Sequence, residues 1–216
     1  MTIIKPIIRK VILKLKEFQK QASMLSQFGR RTPFQILIST VLSARTKDTT
    51  TIPICKVLFA KYPDAEHLVK ANLSVLKMTL YGIGFYNVKA QRIKDISRIL
   101  LDKFNGQVPK TLNSLLSLPG VGRKTANCVL VYAFRKPAIP VDVHVHRIAN
   151  RLGWSNTKTP EESEQALMKL VPKNLWVDVN EHFVVHGQTI CTPTSPFCSK
   201  CPIMGWCKKV GVVKSR

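Results

Sequence analysis

Residues 118–126 read LPGVGRKTA, and they separate two apolar stretches that have helical spacing. Two glycines flank Val121, which permits a tight turn with a positive φ angle and bare backbone amides. The start of the following helix adds free N–H groups and a partial positive charge, and both suit a phosphate. We therefore predict a helix–turn–helix hairpin that binds phosphate, with an ordinary helix corner as the alternative.

Helix start signals recur along the rest of the chain. The stretches TPFQ at 32–35 and TPEE at 159–162 each combine an N-cap threonine, a proline at the first helical position and a capping-box residue. A long helix is expected from Tyr86 to about Phe104, with Gly106 where a terminator belongs. Since no run alternates for long enough to form a strand, we predict an all-α fold.

Two further patterns concern helix faces and turns. Residues 80–84, LYGIG, echo the LPGVG of residues 118–122, and each stretch precedes a helix, although chance explains a match this short equally well. One face of an N-terminal helix is predicted to consist of Ile7, Ile8, Val11, Ile12, Leu15 and Phe18. Lysine, arginine and proline interrupt this segment, so we do not expect a secretory signal.

The charge points to a polyanionic partner. The 216 residues include 34 Lys and Arg against 12 Asp and Glu, a formal net charge of +22. No acidic residue occurs from Lys103 to Val141, nor after Glu181. Such an excess favours nucleic acid, with an anionic membrane surface as the main alternative. No apolar run reaches the roughly 18 residues that a membrane helix requires.

Lys124 and Asp142 are the candidate catalytic residues. Lys124 is expected in the first turn of the helix after the glycines, where the helix N-terminus and Arg123 disfavour the ammonium form. Such an amine can attack a sugar C1′ and form a Schiff base, although a surface lysine is the simpler interpretation. Asp142 precedes a probable helix from Val143 to Leu152. It either caps that helix or stabilises positive charge on the sugar.

Four cysteines near the C-terminus predict a metal centre. Cys191, Cys198, Cys201 and Cys207 are separated by six, two and five residues. This spacing leaves zinc and an iron–sulfur cluster equally open. Cys55 and Cys128 lie in apolar helical segments and are expected to be buried thiols, while His182 and His186 are interpreted as structural.

Taken together, these motifs resemble the endonuclease III family of helix–hairpin–helix DNA glycosylases. The resemblance runs from about Thr32 to Cys207, and LPGVGRKTAN at 118–127, VDVHVHR at 141–147 and the cysteine spacing are its most specific parts. It implies two all-α domains with a DNA cleft between them. A six-helix domain would span residues 26–136. Residues 1–25 and 137–216 would form the other domain, which would carry a [4Fe–4S] cluster bound by the four cysteines.

The resemblance also implies an activity, a substrate and roles for particular residues. The substrate would be damaged double-stranded DNA with an oxidised pyrimidine, flipped out of the stack. Lys124 would be the Schiff-base nucleophile, Asp142 the catalytic carboxylate, and β-elimination would cut the strand 3′ to the abasic site. DNA would be contacted by Arg45, Phe85, Gly120, Val121, Gly122 and Arg123. The protein would be an intracellular monomer associated with DNA, in the cytoplasm or nucleoid if the organism is a prokaryote, and not with a membrane.

Departures from the family pattern keep some alternatives open. Arg45 stands where the family commonly has glutamine, so the preference for the base opposite the lesion is open. A monofunctional glycosylase acting on mispaired adenine or thymine is the nearest alternative, but Lys124 argues against it. Thr40 occupies the place of the catalytic glutamate of adenine-specific relatives. A non-enzymatic, zinc-bearing DNA-binding module would leave Lys124 and Asp142 unexplained.

Overall fold

The structure is entirely helical in a computed structural model that describes residues 4–19 and 31–216. In chain order the helices are α1 (Ile4–Phe18), α2 (Pro33–Ser43), α3 (Asp48–Lys61), α4 (Ala65–Lys70), α5 (Leu73–Thr79), α6 (Tyr86–Phe104), α7 (Leu112–Leu116), α8 (Arg123–Phe134), α9 (Val143–Leu152), α10 (Pro160–Leu170) and α11 (Trp176–Thr189). This confirms the predicted all-α fold. None of these helices is long and apolar enough to cross a membrane.

The chain divides into two compact units, each with its own apolar core. The first, called here the cysteine unit, comprises Met1–Gln27 and Pro137–Arg216, and the second, the hairpin unit, comprises Phe28–Lys136. In the described residues the hairpin unit contains α2 to α8, and the cysteine unit contains α1 and α9 to α11. The two sets of candidate residues, the glycine hairpin and the cysteines, thus belong to different units.

Helix α2 is the centre of the hairpin unit. It begins with the predicted capping box, in which Thr32 and Gln35 bond to each other's backbone N–H groups. Its apolar residues from Ile36 to Leu42 are almost fully buried, and it packs against α3, α6 and α8. This packing places α3 and α8 against the same helix, which matters for the site described below.

The cysteine unit is built around α9 and α11. These two helices pack against each other, α10 packs against α9, and α1 packs against α11. Four residues of the predicted apolar face of α1 are buried: Ile8, Val11, Ile12 and Leu15. Phe18, the last residue of the helix, is 48% exposed.

Candidate active site

The glycine hairpin forms the predicted tight turn. The backbone N–H of Val121 donates to the carbonyl of Leu118 at 3.1 Å, and Gly120 has a φ of +71°. Only this first glycine uses the left-handed region, because Gly122 is extended with a φ of −88°. Val121 is 5% exposed and belongs to the apolar core of the hairpin unit. Its side chain therefore anchors the turn, and only its backbone can face a ligand.

Helix α8 begins directly after this turn without a side-chain cap. Its N-cap is Gly122, which offers no oxygen to the first amides, and the first turn contains no acidic residue. Among residues 4–19 and 31–216, nothing lies within 4 Å of a Cβ placed on Gly122, so the backbone there is open on the described side. Arg123 and Lys124 are the first two residues of the helix. An open, uncapped N-terminus with two cations is suited to a negatively charged ligand.

Asp48 interacts electrostatically with Lys124. It lies in the first turn of α3 and is half-buried. Burial raises the pKa of the Asp48 carboxyl, while the nearby Lys124 charge acts in the opposite direction and lowers it. Sequence reasoning missed this residue, because an acid in a first helical turn is ordinary and only tertiary packing brings it near the lysine.

Asp142 is the N-cap of α9, the helix predicted over residues 143–152. Its Oδ1 accepts hydrogen bonds from the backbone N–H groups of His144 and Val145, both at 2.9 Å. The cap uses one carboxylate oxygen, so Oδ2 takes no part in it. Asp142 belongs to the cysteine unit and Lys124 to the hairpin unit. The structure thus gives Asp142 its capping role directly and leaves a catalytic role as a prediction.

Arg45 and Phe85 lie together on the surface of the hairpin unit. The guanidinium carbon of Arg45 is 6.0 Å from the centroid of the Phe85 ring, and Phe85 is 62% exposed. Both residues are left-handed, with φ angles of 56° and 59°. Non-glycine residues rarely adopt this conformation, and pairs of them suggest a loop shaped for a function.

The four cysteines line one pocket of the cysteine unit. All four are free thiols of intermediate exposure, and with His186 and Ile203 they surround a solvent-open pocket of about 420 Å³. Short 3₁₀ turns at Cys198–Lys200 and Met204–Trp206 direct the loop around it. Arg151 donates to the Sγ of Cys191 at 3.3 Å. The predicted cluster of cysteines is therefore present as a set of thiols facing a shared space.

The pocket is unfavourable for four bare thiolates. Burial raises the pKa of Cys201 to about 11, and the three other cysteines act in the same direction. Burial also raises the pKa of Cys207. A bound cationic centre would offset both the desolvation and the mutual repulsion. Within residues 4–19 and 31–216, however, no three histidine, cysteine or acidic side chains are close enough to hold one metal ion.

The remaining cysteines and histidines have structural environments. Cys55 and Cys128 are fully buried, as predicted. His182 shares a 2.8 Å hydrogen bond with Gln19. His186 is buried beside the pocket, 3.5 Å from the Sγ of Cys201, and burial lowers its pKa to about 4. The two histidines thus have separate partners.

Comparison with known proteins identifies relatives along most of the chain. Residues 38–173 match the family model described as HhH-GPD superfamily base excision DNA repair protein. Endonuclease III of Thermotoga maritima is 51% identical over 176 residues, which cover 82% of this chain and 83% of the relative.

Two solved structures share the fold over 94% of this chain and 94% of their own. One is a trapped endonuclease III–DNA covalent intermediate, with a TM-score of 0.84 and 37% identity. The other is a thermostable thymine-DNA glycosylase, with a TM-score of 0.82 and 28% identity. The same fold therefore occurs in proteins with different names and substrates, and the site residues must distinguish between them.

Proposed function

This chain belongs to the endonuclease III family of the HhH-GPD superfamily of base excision DNA repair proteins, and on that premise we propose that it is a DNA glycosylase with lyase activity. It removes oxidised pyrimidines from duplex DNA and cleaves the strand at the abasic site. We further propose that it acts as a monomer, bound to DNA inside the cell.

The observation that carries this proposal is the position of Lys124. It lies in the first turn of an uncapped helix, after an open glycine turn and near the half-buried Asp48. A fold shared with a thymine-DNA glycosylase does not by itself imply covalent chemistry. A lysine amine at an anion-binding helix start supports the covalent mechanism, because it can reach a sugar whose phosphates the turn holds.

The proposed reaction uses one amine for both steps. The Nζ of Lys124 attacks C1′, and the glycosidic C–N bond breaks with its electrons leaving on the base, which takes up a proton. One proton of the attached nitrogen then passes to O4′ as the C1′–O4′ bond breaks, so the sugar ring opens and a protonated Schiff base forms. Removal of a proton from C2′ then expels the 3′ phosphate. Water finally hydrolyses the imine and regenerates the lysine. In this scheme the Oδ2 of Asp142 stabilises positive charge on the same sugar.

We propose that the DNA backbone is bound by the glycine hairpin and its surroundings. The backbone N–H groups around Gly120, Gly122 and Arg123 donate hydrogen bonds to a phosphate, and the acid-free segment from Lys103 to Val141 adds a favourable field. Arg45 and Phe85 occupy the space of the flipped nucleotide by stacking and hydrogen bonding. Binding should therefore weaken steeply as salt increases.

We propose that the four cysteines hold a [4Fe–4S] cluster with a structural role. Four thiols that line one pocket without converging on a point suit a multi-atom cluster better than a single zinc ion. When bound, the cluster would fix the C-terminal loop and leave the DNA chemistry to the side chains described above. Iron and sulfide analysis of the purified protein, with its visible absorbance, tests this assignment.

Borohydride trapping tests the enzymatic proposal. With a duplex that contains one oxidised pyrimidine, the wild-type protein should form a covalent adduct, and Lys124→Ala should reduce adduct formation by at least about a thousandfold. Lys110→Ala is the matched control, because it removes an exposed lysine from the same acid-free segment.

The outcomes separate the alternatives. Undiminished trapping by Lys124→Ala would refute the assignment of the nucleophile. Base release without any adduct would indicate a monofunctional glycosylase. A folded, metal-loaded protein that binds the duplex but neither links to it nor nicks it would be a DNA-binding module.

A further inference from the structure

A buried lysine in α6 has a role that the reaction above does not use. Lys89 is 3% exposed. Its amine donates to the carbonyls of Leu42 at 2.8 Å and Ala44 at 2.6 Å, and lies 3.3 Å from the Oγ1 of Thr46. In the described part of the chain no ion pair involves Lys89. Its charge is therefore stabilised by backbone and hydroxyl oxygens alone.

Lys89 supplies a charge that α2 lacks. The last turn of α2 contains no basic residue, and the last carbonyls of a helix have neither an intrahelical partner nor a compensating cation of their own. The ammonium of Lys89 gives the last carbonyls of α2 both a hydrogen-bond donor and a positive charge. Retaining a lysine here is costly, because burial and, to a lesser extent, the neighbouring charge of Arg92 together lower its pKa to about 8. Such a cost points to a specific task.

The bonds of Lys89 bracket Arg45. Ala44 precedes it and Thr46 follows it, so the backbone is fixed on both sides. The N–H of Gly84 also donates to the Oγ1 of Thr46 at 3.1 Å, and a Cβ on Gly84 would lie 3.0 Å from the carbonyl oxygen of Arg45. Arg45 itself remains exposed with its left-handed φ of 56°. A strained residue of this kind persists only where its surroundings over-determine it.

We infer that Lys89 is a positioning residue, which presets the backbone of Arg45 so that its side chain, next to Phe85, can enter the space left by the flipped nucleotide. This inference rests on the proposed function of Arg45. Pre-organisation removes an ordering cost from the bound complex. The effect of losing Lys89 should therefore be in KM, and it should depend on the presence of Arg45.

Lys94 provides a matched control on the same helix. Its amine also donates to the last carbonyls of another helix, those of Val69 and Ala71 at the end of α4. No left-handed residue follows there, since Asn72, the residue after Ala71, has a φ of −63°. Lys94→Met thus removes a similar helix clamp without disturbing Arg45, and it reports the cost of losing a clamp as such.

The first experiment requires no catalysis. Trypsin should cleave after Arg45 at least about tenfold faster in Lys89→Met than in the wild type, whereas Lys94→Met should match the wild type, because hydrogen bonds to an ammonium are worth about a factor of ten or more. Fragment masses identify the cleaved bond. If Lys89→Met fails to fold, Thr46→Val removes the shared hydroxyl and should have the same effect on a smaller scale. Equal cleavage of the wild type and the folded variants overturns the inference.

The second experiment is a double-mutant cycle on base release. Lys89→Met and Arg45→Ala should each raise KM about tenfold with little change in kcat, and the double variant should resemble either single one. Multiplying effects, or an equal rise in KM for Lys94→Met, would make Lys89 a merely structural clamp and overturn the inference. If Arg45→Ala alone has no effect while trypsin still distinguishes Lys89→Met, the proposed function of Arg45 fails and the positioning of its backbone stands.

Discussion

The hairpin unit contains the same glycine turn twice. In residues 80–84 the N–H of Ile83 donates to the carbonyl of Leu80 at 3.0 Å, and in residues 118–122 the equivalent bond measures 3.1 Å. The first glycine of each turn is left-handed, with φ angles of +96° and +71°. The apolar residue between the glycines is buried in both turns. The sequence echo is therefore a true repeat of local structure.

The two turns differ in what their second glycine faces. The N–H of Gly84 is occupied by Thr46, and its α-carbon lies against the carbonyl of Arg45. A Cβ on Gly122, in contrast, would have no neighbour within 4 Å among the described residues, and α8 starts there without a cap. The first turn, the closed turn, braces another loop of the protein. The second, the open turn, leaves its amides to a ligand, so one local motif serves two purposes.

Of the variants compared below, Asp142→Asn is expected to have the largest effect, and it separates catalysis from DNA binding. If the open turn holds the phosphates, Asp142→Asn should slow base release about a hundredfold and change duplex affinity less than about twofold. The amide oxygen of asparagine can still accept from His144 and Val145, so the helix cap survives. Single-turnover rates and binding to an uncleavable abasic analogue measure the two quantities.

Asp142→Ala is the companion variant for this prediction. It should lose the catalytic effect and also about 1 kcal/mol of stability, since alanine cannot cap α9. Wild-type rates for Asp142→Asn, together with lowered stability for Asp142→Ala, would reduce Asp142 to a helix cap.

An intermediate effect tests the two glycines directly. Gly122→Ala should lower the melting temperature only slightly: alanine is a poorer N-cap than glycine, but the backbone is extended and no described residue contacts the new methyl. Duplex affinity should nevertheless fall about tenfold, since the methyl obstructs a phosphate. Gly84→Ala should destabilise the protein by about 1–3 kcal/mol, because its methyl meets the carbonyl of Arg45 at 3.0 Å.

The important result is that the two variants change different properties: Gly122→Ala should lower DNA affinity, and Gly84→Ala should lower stability. Thermal unfolding and salt-dependent DNA binding of both variants measure these two properties. If Gly122→Ala binds DNA like the wild type, the open turn is not a phosphate site. The open turn would then be a structural element, as the closed turn is.

Local sequence signals predicted the helices well. Both capping boxes form, α6 covers the predicted residues 86–104, and α9 covers the predicted residues 143–152. These features depend on residues a few positions apart, so the pattern contains them. The same holds for the turn at residues 118–122, whose glycine and buried valine act locally.

Features that depend on distant packing were not predictable in this way. Lys89 is typical of an exposed helix lysine until α2 is placed against α6. Asp48 has no local mark that connects it with Lys124. The catalytic roles of Lys124 and Asp142 remain predictions, because position in a helix does not establish reactivity.

The smallest expected effect concerns Asp48. This residue lies in the first turn of α3, just after the loop that the closed turn braces. It interacts with Lys124, which follows the open turn. Its carboxylate favours the ammonium form of Lys124, so Asp48→Asn should ease deprotonation of the nucleophile. The acidic limb of the trapping rate against pH should then move to lower pH by about one unit or less. An unchanged limb would show that this interaction does not reach the reactive amine.

Stability gives an independent check on Asp48, with a defined sign. Burial raises its folded-state pKa above the usual value, so the folded protein binds more protons than the unfolded chain directly above about pH 4. The wild type should therefore lose stability as pH rises through that window. Asp48→Asn should lack this loss, and the difference in melting temperature between the two proteins should grow with pH until the carboxyl is fully ionised. A constant difference would mean that the folded-state pKa of Asp48 is not raised, and that burial does not outweigh the charge of Lys124.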